Sequence, residues 1–290
     1  MTNAAAGRLY VVATPIGNLG DLSARASDTL KTCALIAAED TRHTSVLLRA
    51  FGISTPIVSL HDHNEKQRAP ELVARMQSGA SVALVCDAGT PAISDPGFDL
   101  VRACAAAGIE VLAVPGACAL VAALSIAALP TDRFCFEGFL PARRSARRTR
   151  LNELSSEPRT LVFYESPHRV REMLEDCVQS FGGARLAALA REITKLHESV
   201  YRGPLEELAA RAAAEAEFVR GEIVLVVAGA VPQAAAGDDG HGGALDRVLA
   251  PLLKELPLKQ AAQLAAQIAS VRDNEAYKRA LQLKQAYGAR

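Results

Sequence analysis

The 290-residue sequence lacks the cysteine patterns of metal sites and disulfide frameworks. Its six cysteines include no C-x-x-C pair and no Cys/His ligand spacing, so we expect reduced core thiols and no metal. The N-terminal MTNAAAGR also lacks the long apolar segment of a secretory signal. The sequence therefore predicts a cytoplasmic protein.

Two common nucleotide-binding motifs are missing as well. The sequence contains neither G-x-G-x-x-G nor the P-loop pattern G-x-x-x-x-G-K-[ST], which removes the usual support for hydride transfer and for NTP hydrolysis. One uncharged stretch, residues 111–131, is long enough to span a bilayer. Pro115-Gly116 interrupts it, so we interpret it as a buried strand, a turn and a helix, with no membrane contact.

Net charge is also absent, because 32 basic side chains balance 32 acidic ones. This balance argues against a protein that coats nucleic acid by bulk charge. The charges are unevenly distributed, however: residues 1–130 hold 9 basic and 11 acidic side chains, residues 131–243 hold 15 and 17, and residues 244–290 hold 8 and 4. The C-terminal segment is therefore basic.

Short β-branched runs alternate with helical patterns along the first half, which predicts an α/β domain with a parallel sheet over residues 1–130. The expected strands are 9–14, 34–40, 56–60, 81–87 and 110–115, and the expected helices lie near 22–32, 42–51, 65–77, 97–107 and 117–128.

A second α/β set predicts a mixed sheet over residues 131–230. Its expected strands are 133–140, 159–166, 184–193, 197–203 and 221–229, with helices near 167–181 and 204–217. Residues 231–243 are small and polar and indicate a linker. Residues 244–290 show only helical patterns, which predicts a small helix-turn-helix-like tail.

Three loops of small residues follow strands of the first domain, at 14–23, 86–100 and 114–119. Their glycines allow close approach of a ligand, the backbone N–H groups of Gly89 and Thr90 are candidate donors, and Asp87 and Asp95 offer carboxylates. The loops contain no Lys or Arg. This absence fits the cationic S-adenosylmethionine better than a dinucleotide, although a plain tight turn at 14–23 stays an alternative.

Residues 143–150, RRSARRTR, hold five arginines and no acid in a stretch that looks like a loop. One interpretation is a solvated loop without a specific role. The other is a patch that binds the nucleic-acid backbone, because guanidinium groups match phosphate oxygens.

Several long strings resemble one known family. They are LYVVATPIGNLGDLS, AEDTRHTSVLL, SLHDHNE, ALVCDAGTPAISDPG, VLAVPGACALVAALSIAALP, FEGFLP, LVFYESPHRV, AREITKLHE and GEIVLVV. Together they resemble, in order from about residue 8 to 229, the ribosomal RNA small subunit methyltransferase I family of the tetrapyrrole methylase-like superfamily. The helical tail resembles that family's C-terminal piece.

The resemblance implies two α/β domains with S-adenosylmethionine between them, homodimers, and 2′-O-methylation of a cytidine in the decoding region of 16S rRNA, on the 30S particle. It also implies positions for the cofactor contacts. These are Pro15, Gly17, Asp87, Gly89, Thr90, Ile93, Ser94, Pro115, Gly116, Ala119, Ser125, Tyr164, Glu165 and Gly221.

A 2′-hydroxyl needs a proton acceptor to become a good nucleophile. Asp40 and His61 follow the second and third strands and are the candidates, with Asp40 as a helix cap the alternative. Arg42 and the cluster Arg143, Arg144, Arg147, Arg148 and Arg150 are the predicted RNA contacts. The rival functions are methylation of a tetrapyrrole or other small molecule on the same fold, and a non-catalytic RNA-binding assembly factor.

Overall fold

The computed structural model describes residues 6–231, 242–269 and 271–287. Contacts divide the chain into two compact units, residues 1–230 and 231–290. Most of the predicted linker, residues 232–241, lies outside the described residues. The helix that follows begins at Gly242, two residues earlier than predicted.

Five parallel strands form the first sheet, in the order β3-β2-β4-β1-β5. They are β1 Leu9–Val12, β2 Leu35–Ala38, β3 Ile57–Ser59, β4 Val82–Val85 and β5 Val111–Val114. Every residue of β2 and β4 is buried, as expected for strands covered on both faces. Helices α1 Ala24–Thr32 and α2 Thr41–Ala50 cover one face, and α3 Glu65–Gln77 and α4 Phe98–Ala106 cover the other.

Helix α5, Ala119–Ile126, packs against the second sheet. Its Leu120 and Leu124 share a core with Val162 and Val224, so this helix connects the two α/β domains. The uncharged stretch 111–131 is thus a strand, a turn and a helix, as predicted. Among the residues that the structure describes, no helix is long and apolar enough to cross a membrane.

The second sheet has the order β6-β7-β10-β8-β9. Only β6 and β7 pair in parallel, and the other neighbours are antiparallel, so the predicted mixed sheet is confirmed. Its strands are β6 Phe134–Phe139, β7 Thr160–Glu165, β8 Leu186–Arg191, β9 Ser199–Pro204 and β10 Ile223–Val227, and helices α6 Arg144–Glu153, α7 Val170–Phe181 and α8 Leu205–Ala214 pack on the face opposite α5.

The loop predicted at 143–150 is wrong, because most of this stretch is helix α6. In the C-terminal unit, the predicted helical organisation is present as α9 Gly242–Glu255, α10 Leu258–Ala269 and α11 Asp273–Tyr287. Leu245, Leu249 and a set of alanines that include Ala265 and Ala276 form its core. The small side chains allow the three short helices to approach closely.

Candidate functional site

A cleft of about 400 Å³ lies where strand ends of the two sheets meet. Segments that follow β2, β4 and β5 form its first wall. The second wall comes from the ends of β6 and β7, the segment after β8 and the beginning of β10. In the register of the second sheet, Ile223 pairs with Glu165 and with Arg191, so these strand ends lie at one edge. The site therefore sits at the carboxyl end of the parallel sheet, where α/β folds commonly bind ligands.

The structure brings eight of the predicted cofactor residues together in this cleft. They are Asp87, Gly89, Thr90, Ile93, Ser94, Ala119, Tyr164 and Glu165. The other six do not line it: Pro15, Gly17, Pro115, Gly116, Ser125 and Gly221. Of these, Gly116 lines an adjoining hollow that shares Ile16, Cys118 and Ile193 with the cleft. The exposed Ser125 instead donates its hydroxyl to the Ala122 carbonyl within its own helix.

Other residues line the cleft without having been predicted as site residues. Glu39 directly precedes the predicted Asp40, and its position at the end of β2 was an available signal. Phe139 and Ile193 also line the cleft. They are apolar residues at sheet ends, and nothing in the sequence distinguishes them from core positions.

Hydrogen bonds fix the loop after β4. Thr14 and Gly89 exchange both backbone hydrogen bonds, at 2.8 and 3.1 Å, and the Thr90 hydroxyl donates to the Ala117 carbonyl at 3.2 Å. The Gly89 N–H is therefore occupied, which corrects its predicted role as a free ligand donor. Ala92 and Ser94 have φ of 66° and 64°, a strained conformation that is found mostly at functional sites.

The turn after β8 contacts the loop after β1. The Thr194 hydroxyl donates to Asp21, and the Lys195 side chain occupies the space that a Cβ at Gly17 would need. Gly17 permits this close approach because it has no Cβ, and it does not line the cleft itself. Lys195 Nζ pairs with Glu192 at 3.1 Å and with Glu222 at 3.2 Å, which fixes the second wall.

Tyr164 joins the two walls. Its hydroxyl accepts a hydrogen bond of 3.0 Å from the Leu120 N–H at the beginning of α5, and its ring contacts Phe136 and Phe139 edge to face. Burial raises the pKa of Tyr164, so the hydroxyl stays neutral. We infer a role in holding the helix against the sheet while the ring forms part of the cleft wall.

The charged side chains that line the cleft are all acidic: Glu39, Asp87, Asp95, Glu165 and Glu222. Burial is the main cause that raises the pKa of Asp95 to about 6, and nearby carboxylates add to it against the opposing effect of the Cys86 thiol. Burial and the charge of Asp87 likewise raise the pKa of Glu39. The cleft is therefore a region of concentrated negative charge.

Asp40 caps α2 and does not line the cleft. Its carboxylate accepts from the Arg42 N–H at 2.8 Å and holds the Arg42 guanidinium through bonds of 3.1 and 2.6 Å. These bonds keep the pKa of Asp40 well below its usual range, which makes it a weak proton acceptor. The structure thus places Asp40 as the cap of α2, the alternative prediction, and its role as catalytic base stays a prediction.

His61 also lies outside the cleft lining. Its Nε2 is 3.2 Å from Asn64 Nδ2, and its buried Nδ1 has no hydrogen-bond partner among the described residues. The ring of His63 contacts it edge to face, with centroids 5.9 Å apart. His61 is therefore not among the residues that line the cleft, and its role as proton acceptor stays a prediction.

Three of the five clustered arginines are held by carboxylates. Arg147 is fully buried and contacts Asp176 at 2.8 Å and Glu172 at 2.9 Å. Arg144 also pairs with Asp176, and Arg150 pairs with Glu137 and Glu153. An RNA contact by Arg147 would require breaking these pairs, so that prediction is dropped. Arg143 and Arg148 are exposed and form no ion pair within the described part of the chain.

Comparisons with known proteins agree with this architecture. The family model for Tetrapyrrole (Corrin/Porphyrin) Methylases matches residues 8–209, and the model for the RsmI C-terminal HTH domain matches residues 239–284. A Ribosomal RNA small subunit methyltransferase I of Pseudomonas aeruginosa is 54% identical over 96% of this chain and 98% of its own length. The protein of the same name from Escherichia coli O157:H7 is 52% identical over 95% of each chain. The chain belongs to the ribosomal RNA small subunit methyltransferase I family. The family resemblance inferred from the motif strings is thereby confirmed.

Solved structures related to this ribosomal RNA small subunit methyltransferase I family member share its fold. The methyltransferase CobJ has a TM-score of 0.58 at 20% identity, over 78% of this chain and 95% of its own. A uroporphyrin-III C-methyltransferase from Thermus thermophilus, complexed with S-adenyl homocysteine, has a TM-score of 0.52 at 20% identity, over 77% and 97%. In the described residues, no group of three or more His, Cys, Asp or Glu side chains is arranged to hold a metal ion.

Proposed function

We propose that this protein transfers the methyl group of S-adenosylmethionine to the 2′-hydroxyl of a cytidine in the decoding region of 16S rRNA, within the 30S particle. The observation that carries the proposal is identity of 50% or more, over nearly the whole chain, to relatives named ribosomal RNA small subunit methyltransferase I. The cleft at the strand ends supports it.

The side chains of the cleft suit this cofactor. Ile16, Ile93 and Phe139 provide apolar surface for a flat ring. The carboxylates match the positive sulfonium and ammonium groups, although the buried Glu165 already pairs with Arg169 at 3.4 Å. The residues proposed to hold the cofactor are Asp87, Gly89, Thr90, Ile93, Ser94, Ala119, Tyr164 and Glu165, joined by Glu39 and Asp95.

When bound, the cofactor supplies an activated methyl group on a positively charged sulfur. Transfer breaks the carbon–sulfur bond and forms a carbon–oxygen bond, while the hydroxyl proton passes to an acceptor and then to solvent. The protein's main contribution is to align the hydroxyl with the methyl carbon, an effect that reaches effective molarities of about 10⁵ M in well-oriented systems. A rigid cleft, fixed by Tyr164 and by the Thr194–Asp21 contact, serves this alignment.

In the first unit, the exposed Arg143 and Arg148 are proposed RNA contacts. Arg42 is a further one, because its side chain is 90% exposed while it pairs with Asp40. The basic residues 244–290 are proposed separately as the RNA contact of the second unit. Affinity that depends on phosphate contacts decreases steeply as the salt concentration rises. On the basis of the family resemblance, we also propose that the protein is a homodimer and acts in the cytoplasm.

A methyl-transfer assay tests the proposal. Radiolabelled S-adenosylmethionine is incubated with the protein and either 30S particles or free 16S rRNA that lack the modification, and the RNA is digested to nucleosides for mass spectrometry. The expected product is 2′-O-methylcytidine, formed on 30S particles. A methyl group on a base, or on a tetrapyrrole supplied in parallel, would support the small-molecule or base-specific alternatives. RNA binding without transfer would support an assembly factor.

A further inference from the structure

The ends of β6 and β7 place several side chains in the second wall of the cleft. Phe139 is the last residue of β6, and Tyr164 and Glu165 end β7. The pairing of these two parallel strands stops at Phe139 and Tyr164. Phe139 is 56% exposed, so core packing alone does not fix its ring. The position of the ring therefore depends on what holds the chain directly after β6.

Arg169 holds that segment. It directly precedes α7, and its Nη2 donates to the Leu140 carbonyl at 2.7 Å and to the Pro141 carbonyl at 3.2 Å. The same nitrogen lies 3.4 Å from Glu165 Oε2. One guanidinium group thus joins the segment after β6 to the end of β7, beyond the last paired residues of the two strands.

The charge of Arg169 also acts on Glu165, which is only 2% exposed. Burial raises the pKa of Glu165, while the bond of 2.8 Å from the Ser166 N–H and the charge of Arg169 act in the opposite direction. A buried carboxylate stays ionised where such partners compensate the loss of water. Arg169 therefore supports both the position of the β6 end and the charge at the β7 end.

Stability alone does not account for this arrangement. The buried Nε of Arg169 has no hydrogen-bond partner among the described residues, and an unpaired buried donor is unfavourable. Arg185 provides a comparison within the same sheet. It precedes β8, at the end of the sheet away from the cleft, and its guanidinium donates to the Ser155 and Ala228 carbonyls at 2.8 and 3.2 Å. None of these three residues lines the cleft.

We propose that Arg169 is a positioning residue for methyl transfer, which holds Phe139 and Glu165 in the geometry that binds the cofactor. This inference rests on the proposed function, since it takes the cleft as the site of S-adenosylmethionine. Arg169 does not line the cleft, so it acts through the two side chains that do. A displacement of about 1 Å is enough to weaken a binding or catalytic site substantially.

Calorimetric titration with S-adenosylmethionine and steady-state methyl transfer to 30S particles test this role in the full chain. Arg169→Gln should weaken cofactor binding about tenfold, because the Leu140 and Pro141 carbonyls lose their shared donor. The KM for S-adenosylmethionine should rise by a similar factor, while the KM for 30S particles stays within about twofold. Arg169→Lys retains the charge without the planar fork, and we expect an intermediate loss of about threefold.

The matched controls are Arg185→Gln and Arg185→Lys, which change a guanidinium with the same kind of carbonyl contacts at the other end of the sheet. They should leave cofactor binding within about twofold. Thermal unfolding verifies that each variant folds, and the two Lys variants decide the question in the same way if Arg169→Gln does not fold. Action through Phe139 is tested with Phe139→Leu. The loss of affinity in Phe139→Leu/Arg169→Gln should be smaller than the product of the two single losses.

Two different failures are distinguishable. If changes at Arg169 and Arg185 affect cofactor binding equally, if Arg169→Gln raises only the KM for 30S particles, or if the losses from Phe139→Leu and Arg169→Gln multiply, the positioning role is refuted and the cofactor site stands. If the unaltered protein binds no S-adenosylmethionine, the cofactor assignment itself is rejected, and the positioning role with it.

Discussion

The cleft and helix α6 both concentrate charge, and they differ in how that charge is compensated. In α6, Arg144, Arg147 and Arg150 each contact two carboxylates. In the cleft, Glu39 and Asp95 contact no cation within the described residues. The arginines lie within one short stretch of the sequence, residues 143–150, whereas the acids come from separate loops and meet only in the fold.

This difference shows what a charge cluster in a sequence can and cannot indicate. The arginine run is conspicuous in the sequence, yet Arg144 and Arg147 join α6 to the acids of α7. Arg150 pairs with Glu137 and Glu153, so three of the five arginines stabilise the second domain. The carboxylates of the cleft are dispersed in the sequence and less conspicuous. Glu39 and Asp95 among them form no ion pair with a described residue, so they are available to a ligand. The arginine cluster of α6 and the cleft thus differ in whether their charges are paired within the protein, and not in how many charges lie close together.

The largest expected effect on the free energy of unfolding comes from removal of Arg147, the buried member of the arginine cluster in α6. Arg147→Ala leaves the fully buried Asp176 with only the half-exposed Arg144 as partner. Removing one member of a buried ion pair destabilises a protein by about 3–5 kcal/mol. Urea unfolding followed by circular dichroism measures the loss. Arg148→Ala on the exposed side of the same helix is the control, with a change within about 0.5 kcal/mol. Equal effects of the two variants would refute a structural role for the cluster.

Removal of the Tyr164 hydroxyl should have the next largest effect. Tyr164→Phe leaves the Leu120 N–H without its acceptor, which lowers the free energy of unfolding by about 1–2 kcal/mol. Tyr201→Phe is matched to it, since no described residue hydrogen-bonds the Tyr201 hydroxyl, and it should change stability by less. If the two variants unfold alike, Tyr164 does not hold α5 in place.

Because the charge of Asp95 is not compensated, we expect that its removal stabilises the protein, by an amount that depends on pH. The pKa of Asp95 is about 6 in the fold and about 3.8 in an unfolded chain, so the folded state binds the proton more tightly between these values. Stability that involves this group therefore falls as pH rises from about 4 to about 6 and stays constant above that range. Asp95→Asn should stabilise the ligand-free protein by about 1 kcal/mol at pH 7.5, after allowance for solvent screening, by about half as much at pH 5, and by almost nothing at about pH 3.5.

Thermal unfolding of both proteins across this pH range measures the difference. The carboxylates whose charges act on Asp95 are Glu39, Asp87 and Asp62, and the Cys86 thiol forms a hydrogen bond with it; all four groups are retained in the variant. A gain in stability that is the same at about pH 3.5 and at pH 7.5 would show that the Asp95 charge is compensated after all.

The smallest effect on stability is expected for the exposed arginines. Arg143→Ser/Arg148→Ser should change the free energy of unfolding by less than about 0.5 kcal/mol. If the two arginines contact phosphates, the variant binds rRNA more weakly, and the slope of log affinity against log salt decreases by about 1–2. An unchanged slope, measured by filter binding, would remove both residues from the proposed RNA contacts.

Most of the first sheet could be predicted because its strands are short, largely apolar runs. Buried strands such as β2 and β4 stand out in the sequence, and their spacing requires helical crossovers. Helix α6 could not be predicted in this way. Its inner side contacts the acids of α7 through Arg144 and Arg147, so it lacks the apolar periodicity that identifies a helix.

The loops that form the first wall of the candidate site could be predicted from the sequence, whereas Phe139 and Ile193 of the second wall could not. Small residues after β4 and β5 indicated where a ligand approaches the first sheet. The contributions of Phe139 and Ile193 depend on how the second domain packs against α5, and that packing is a long-range property with no local pattern. Asp40 is a different case. Its position after a strand is equally typical of a proton acceptor and of a helix cap. Only the structure shows that it caps α2 and binds the Arg42 guanidinium.

The most direct test of the account is whether the cleft holds the cofactor. Ala88 is exposed on the cleft wall, so Ala88→Trp fills the space with little disturbance of the core. The control is Ala106→Trp, at the exposed end of α4. In calorimetric titration with S-adenosylmethionine, we predict one site in the unaltered protein, at least tenfold weaker binding in Ala88→Trp and unchanged binding in Ala106→Trp. Equal binding by a folded Ala88→Trp variant would contradict the account.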